Sequence, residues 1–242
     1  MDANRVSGSR DSESARSPDE EVTRPSEVQV RTVIIDNYDS YTYNLFQLIA
    51  EVNDEEPVVF KNDKLSWREL SRLKYDNIVI SPGPGTPVNA ADFGVCGDVL
   101  RNAAVPVLGV CLGHQGLVHV CGGTIGHAPE VMHGRISAVY HDASPLFARI
   151  PQGFRAVRYH SLVAVDPLPR VLKRTAWTED GVTMAVEHVY RPQWGVQFHP
   201  ESVCTEFGAR LLANFRDLTV ALGEGSRHLP PAIGARVGGG TC

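Results

Sequence analysis

No stretch of the 242-residue chain approaches the run of about 18 apolar residues that would span a bilayer, so no transmembrane helix and no membrane partner is expected. A basic excess is also missing. The 23 Lys and Arg side chains stand against 28 Asp and Glu, a formal net charge of −5, which argues against a nucleic-acid partner. Near the first residue, Ser, Arg, Asp and Glu occupy the positions where a secretory leader needs an apolar stretch. Cysteine is sparse, with five residues, an odd number. Without an export signal, that count reads as reduced thiols in a cytoplasmic protein, any special cysteine being catalytic rather than bridged. What is present is the composition of a globular chain, 43% hydrophobic and 21% charged, long enough to bury a sizeable core.

Apolar periodicity is confined to the middle. Residues 1–27 are rich in Ser, Arg, Asp, Glu and Pro and cannot bury enough apolar surface to offset their ordering entropy, so a disordered tail is expected there. From 220 to 242 the chain turns to Gly and Pro and reads as a second flexible tail. Residues 28–219 remain for one folded domain. No repeat at solenoid periods is found.

Within that domain, short apolar runs alternate with helical patterns. Strands are expected at 30–35, 58–60, 77–80 and 105–110, and helices at 42–52, 67–73 and 93–101. Such alternation implies βαβ units: an α/β fold with an open, mostly parallel central sheet and helices on both faces. After Gly123 the pattern shifts to strands joined by short turns, at 135–140, 156–159, 183–188 and 194–198, which predicts a smaller, partly antiparallel portion. A last helix is expected over 206–218, with Leu211, Leu212 and Phe215 facing inward.

Three segments could carry chemistry. In Gly109-Val110-Cys111-Leu112-Gly113 a buried strand runs into a cysteine flanked by glycines, with a helical pattern behind it. This is the logic of a nucleophile elbow with sulfur in place of oxygen. The glycines permit a sharp turn, and the helix N-terminus offers positive potential to a thiolate and N–H groups to an oxyanion. The same pentapeptide also fits a buried structural cysteine. His199-Pro200-Glu201 follows an apolar strand and sets an imidazole and a carboxylate two residues apart, on one face of extended chain. A nucleophilic cysteine needs such a base and the base needs an orienting group, although an isolated His-x-Glu is commonly a solvated strand end. Finally, residues 81–87 (Ser-Pro-Gly-Pro-Gly-Thr-Pro) form a loop stiffened by proline and bare of side chain at glycine, either an ordinary tight turn or a source of backbone N–H groups. It matches neither a Walker loop nor a dinucleotide fingerprint.

Cys111, His114, His119 and Cys121 invite comparison with a zinc site. They lie across a turn and a helix start rather than a knuckle, and the Pro-Cys-x-x-Cys partner of the zinc deaminases is absent, so no metal is expected. His127, His133, His141, His188 and His228 show no singular spacing and read as surface or loop residues.

Taken together, 81–87, 106–115 (Pro-Val-Leu-Gly-Val-Cys-Leu-Gly-His-Gln) and 195–202 (Gly-Val-Gln-Phe-His-Pro-Glu-Ser) resemble the class I glutamine amidotransferases, over about residues 30–218. More narrowly, 36–40 (Asp-Asn-Tyr-Asp-Ser), 42–45 (Thr-Tyr-Asn-Leu), 133–135 (His-Gly-Arg) and 158–162 (Arg-Tyr-His-Ser-Leu) are similar to the glutaminase components of chorismate-using synthases. That branch holds anthranilate synthase component II and the amidotransferase part of aminodeoxychorismate synthase. Segments 176–181, 192–195 and 214–219 lean toward the latter, particularly toward forms fused to their synthase.

The resemblance implies a flavodoxin-like class I amidotransferase fold. It implies Cys111 as nucleophile, His199 as base and Glu201 as the group orienting it. It places the oxyanion hole at the backbone of Leu112 and Gly83, and glutamine binding at Gly83, Pro84, Gly85, Gln115, Ser161 and Leu162. L-Glutamine is the implied substrate and a chorismate-binding synthase subunit or domain the implied partner. No cofactor is expected in this chain, Mg²⁺ being expected in the partner. The rival readings are anthranilate synthase component II, a noncatalytic amidotransferase-fold regulatory subunit, and a free-standing γ-glutamyl hydrolase, against which the branch-specific segments speak. One departure from the family pattern is Val118-His119-Val120-Cys121 ahead of Gly122-Gly123, where small and aromatic residues are usual; it bears on packing behind the elbow helix.

Overall fold

The β-branched run near the start of the domain becomes a central strand because both of its faces are covered. In the computed structural model, which describes residues 29–227, Thr32–Asp36 form β1 with every residue buried. Alternate side chains enter opposite cores, Ile34 one and Val33 and Ile35 the other. The same division recurs in β3 (Asn77–Ile80) and β4 (Val107–Val110), whose Val79 and Leu108 join the first core and whose Ile78, Ile80 and Val107 join the second. Strands buried on both faces in this way read as continuous apolar runs.

The remaining strands are β2 (Val58–Lys61), β5 (Thr124–His127), β6 (Arg135–His141), β7 (Phe154–Arg158), β8 (Leu162–Val165), β9 (Leu172–Thr178), β10 (Thr183–His188) and β11 (Gln193–Val196). Nine of the eleven described strands form one sheet in the order β2-β1-β3-β4-β11-β10-β9-β6-β7, and β5 pairs with β8 in a separate two-stranded sheet. From β2 to β11 every pairing is parallel; from β11 to β7 every pairing is antiparallel. β11 therefore joins the two halves, parallel to β4 on one side and antiparallel to β10 on the other.

Helices cover both faces. α1 (Thr42–Asn53) and α6 (Gly208–Arg227) place Leu45, Ile49, Leu211 and Phe215 in the first core. α2 (Trp67–Leu70), α4 (Cys96–Asn102) and α5 (Leu112–Val120) place Leu70, Val99, Leu100 and Leu117 in the second. The unusual Val118 is fully buried there, and Gly123 lies so close to it that a Cβ would come within 2.5 Å of its Cγ1.

Three local expectations change. The helix expected over 93–101 is two helices, α3 (Ala90–Phe93) and α4. The break falls at Gly94, whose φ of 45° and approach to the Asn62 carbonyl, 2.2 Å from where a Cβ would sit, only glycine accepts. The strands β5, β8 and β9 were not anticipated. β5 is half exposed and lacks a clear alternation, and β9 carries the chain past irregular pairing with β10. The boundary at 220 is also corrected, since α6 runs on to Arg227. Thr219 anchors that extension, its hydroxyl donating to the Phe215 carbonyl at 2.9 Å and accepting from Asn77 Nδ2 at 2.9 Å. The helix-forming Ala221, Leu222 and Glu224 then offset glycines that each cost about 1 kcal/mol in a helix. The tail expected at 1–27, and the 228–242 part of the one expected at 220–242, lie outside the described residues. Among those described, no helix is long and apolar enough to cross a membrane.

Candidate active site

Cys111 ends β4 at the carboxyl edge of the parallel half, where open α/β sheets gather their ligands. Its backbone is strained, with φ 50° and ψ −95°, a conformation costing about 1–3 kcal/mol for a non-glycine residue. Two bonds hold it there: its N–H donates to the Val196 carbonyl at 2.8 Å, and its own carbonyl accepts from Gln115 N at 3.0 Å. The turn is tight enough to need both flanking glycines. A Cβ on Gly109 would lie 2.4 Å from the Gly113 carbonyl carbon and oxygen, and one on Gly113 would lie 2.7 Å from the Ile80 carbonyl oxygen. Because those neighbours are backbone, Gly109→Ala is expected to destabilise the chain by about 1–3 kcal/mol, read as a lowered Tm in thermal unfolding.

β11 lies directly beside β4, with Gly195 opposite Gly109 and Val196 opposite Val110. The segment leaving β11 therefore passes the cysteine. There His199 Nδ1 and Glu201 Oε1 meet at 2.6 Å, both side chains buried. The His199 backbone is fixed as well, its N–H donating to the Val157 carbonyl at 3.1 Å and its carbonyl accepting from Thr205 Oγ1 at 2.7 Å. Tyr159 packs edge-on against the imidazole, ring centroids 5.3 Å apart. Burial alone would push the His199 pKa down. Cys111 and Glu201 outweigh it through hydrogen-bonding and charge interactions, and raise it to about 10. With Nδ1 taken by Glu201, the buried Nε2 is the ring atom left to exchange a proton with Cys111.

The Gly-Pro loop is clamped to the end of β1. Asn37 N donates to Ser81 Oγ and Asn37 Nδ2 to the Ser81 carbonyl, both at 2.9 Å, while Asn62 Nδ2 donates to Asn37 Oδ1 at 2.9 Å. Gly83 is pressed between Asn37 and Leu112: a Cβ there would meet Asn37 Cβ at 2.5 Å and Leu112 Cδ2 at 3.0 Å. Leu112 is the first residue of α5, where the N–H has no helical acceptor. Gly85 adopts φ +83° and packs against Asp92, whose Oδ2 accepts from Thr86 N at 3.1 Å.

A cleft of about 350 Å³ opens over the sulfur. Cys111, His199, Pro82 and Gly83 form part of its wall. Asp39, Ser40, Tyr41, His133 and Tyr159 complete it, and sequence reasoning assigned none of these a place in the site. The only signal for Asp39, Ser40, His133 and Tyr159 was their membership of segments shared with the family branch, and Tyr41 falls between two of those segments. His133, expected at the surface or in a loop, is an exposed residue of a bend that also lines the cleft. His141 departs from the same expectation: it is buried, its ring stacked on Phe147 with Nε2 3.1 Å from the Ile150 carbonyl. Burial raises the Asp39 carboxyl, the His199 charge opposing. Glu201 stands behind the imidazole rather than on the cleft wall, and Pro84, Gly85, Gln115, Ser161 and Leu162 also lie off it. Gln115 does reach Leu162, donating from Nε2 to its carbonyl at 2.9 Å, while Ser161 is exposed.

Among the described residues no three His, Cys, Asp or Glu side chains are grouped to hold a metal ion. His114 is fully buried against Gly195, and desolvation lowers its pKa to about 4.

A sheet wound on both faces, a cysteine on a strained strand-to-helix turn, and a histidine–glutamate pair at the end of the adjacent strand define an α/β protein built for thiol chemistry. The chain belongs to the class I glutamine amidotransferases, whose family model matches residues 33–218. It is 54% identical to an aminodeoxychorismate synthase of Streptomyces griseus, over 88% of this chain and 28% of that protein. It is 47% identical to anthranilate synthase component 2 of Methanothermobacter thermautotrophicus, over 76% of this chain and 96% of that protein. The chain thus spans about 28% of the length of the Streptomyces relative. In fold it is similar to a putative GMP synthase subunit from Thermoplasma acidophilum, with a TM-score of 0.75 and 20% identity, over 84% of this chain and 100% of that one.

Proposed function

We propose that this chain hydrolyses L-glutamine at Cys111 and passes the ammonia to a chorismate-using synthase, by preference one making aminodeoxychorismate. The observation that carries the reading is the buried His199–Glu201 pair, at 2.6 Å, set beside a strained cysteine on the neighbouring strand. The Cys111 sulfur, its proton held by His199, attacks the side-chain amide carbon. The carbonyl oxygen takes the negative charge and is held by the N–H groups of Leu112 and Gly83. His199 then gives its proton to the amide nitrogen, the C–N bond breaks and ammonia leaves. Water, losing a proton to His199, cleaves the γ-glutamyl thioester to glutamate and restores the thiol. Glu201 keeps the imidazole aimed and stabilises its charged form. Gln115, Ser161, Leu162 and the loop from Gly83 through Pro84 to Gly85 hold the amino-acid end of glutamine.

The preference for aminodeoxychorismate rests on the 54% and 51% identities with two Streptomyces aminodeoxychorismate synthases. The identity of 47% with anthranilate synthase component 2 keeps that product as the second reading. The partner would be a chorismate-binding subunit or domain, with Mg²⁺ in that partner, and free thiols suit a cytoplasmic setting. The test is to combine the full chain with candidate synthase chains, chorismate, Mg²⁺ and glutamine. A 4-aminobenzoate-type product is expected; a 2-aminobenzoate-type product overturns the preference, and no glutamine consumption with any synthase overturns the glutaminase assignment.

A further inference from the structure

The geometry points to Gln197 as a positioning residue for the nucleophile, its side-chain amide donating to the Cys111 sulfur in an orientation dictated by Gln115. This inference rests on the glutaminase reading above. Gln197 lies between β11 and His199 with its side chain fully buried, and its Nε2 is 3.5 Å from Cys111 Sγ. That is a normal separation for a donor meeting the larger sulfur atom.

The polarity of the contact follows from its neighbours. The Leu162 carbonyl can only accept, so the Gln115 atom 2.9 Å from it must be the NH₂ group. The same Nε2 lies 3.2 Å from Gln197 Oε1 and spends its second proton there. Gln197 must then turn its own NH₂ toward sulfur; a flipped amide would set two NH₂ groups face to face. The Leu162 carbonyl is fixed from its other side. Arg158 Nε donates to His160 Nε2 at 3.0 Å, which leaves the His160 proton on Nδ1, 3.1 Å from that carbonyl. Burial and the neighbouring Arg158 charge keep His160 neutral, with its pKa lowered to about 3. Donors thus converge on the Leu162 carbonyl, Arg158 through His160 from one side and Gln115 from the other, and Gln115 directs its second proton to Gln197, whose own NH₂ faces the sulfur; each of these groups is at least nine-tenths buried apart from Leu162. A hydrogen bond to an ionised acceptor is stronger than one to a neutral acceptor, so this amide favours the charged sulfur over the thiol. His199 supplies charge to the nucleophile; Gln197 supplies a neutral donor that cannot compete for the proton.

The test uses the full-length Gln197→Met variant, which keeps the volume and loses the donor. Alkylation of Cys111 by iodoacetamide is followed by peptide mass spectrometry, because Cys96, Cys121 and Cys204 are also free. The expected result is alkylation about fivefold slower than wild type at pH 7, with the difference lost as the pH is raised to 10. The kcat for glutamine is expected to fall about tenfold with KM changed less than about twofold. Gln115→Met, which frees the Gln197 amide to rotate, gives a smaller loss of alkylation rate at pH 7 that is likewise lost at pH 10, and this readout serves if the first variant does not fold. A variant-to-wild-type alkylation ratio that is the same at both pH values, or a variant faster at pH 7, overturns the inference. Alkylation needs no glutamine, so it reports on Gln197 even if the glutaminase assignment fails.

Discussion

Replacing Cys111 with alanine is expected to lower glutamine-dependent synthesis by at least about 10⁴-fold, because no other group forms the thioester. Synthesis fed with ammonium salt in the assembled enzyme is expected to stay near wild-type rates. The split follows from where the residue sits. Cys111 is a buried residue of the cleft wall, and alanine is smaller, so the fold loses one sulfur and gains no clash. The elbow backbone is held by the Val196 carbonyl and by Gln115 N, neither of which involves the side chain. Ammonia- and glutamine-fed assays on the same preparation check it; retained glutamine use excludes Cys111 as nucleophile.

Glu201→Gln is expected to reduce glutamine turnover by about 10³-fold and to change the pH dependence of stability. The amide keeps the size of the carboxylate but removes the charge 2.6 Å from Nδ1 and part of what holds the His199 pKa at about 10. The direction of the stability effect follows from linkage. A histidine whose folded pKa lies above its ordinary 6.5 adds stability that is fully present below 6.5 and is lost as pH rises through the folded value. With Glu201 neutralised, burial pulls the folded pKa down and that contribution shrinks. The gap in Tm between wild type and variant should therefore be full at and below about pH 6.5 and close as the pH rises toward 10. A gap that widens with pH would contradict this account of His199.

The residues bearing chemistry were legible where the backbone demands a particular residue type. Gly109 and Gly113 around Cys111 announce a turn that no Cβ survives, and the structure puts their absent side chains inside backbone atoms. His199 and Glu201 were legible because a spacing of two in extended chain needs no tertiary knowledge. The far wall of the cleft was not. Asp39, Tyr41, His133 and Tyr159 come from three separate segments, and only the crossing of the sheet brings them to one opening. Gln197 escaped for a related reason: its meaning lies in two partners distant in sequence, Gln115 and Cys111. In the fold, the doubly buried strands were readable as apolar runs, whereas half-exposed β5 and the long end of α6 depend on contacts such as Asn77 with Thr219 that no local window contains.

The position of β11 also has a consequence in time. It is inserted between β4 and β10, so Cys111 and His199, which follow β4 and β11, come to lie at the ends of neighbouring strands only after the antiparallel strands between them in sequence have been made. Pairings that distant along the chain are reached late and slowly. A chain that has made its early βαβ units but has not yet seated β11 carries the cysteine turn without its imidazole. The cysteine turn and the His199–Glu201 pair therefore meet only with the last strand of the central sheet to be made, and a chain lacking that strand holds the thiol alone.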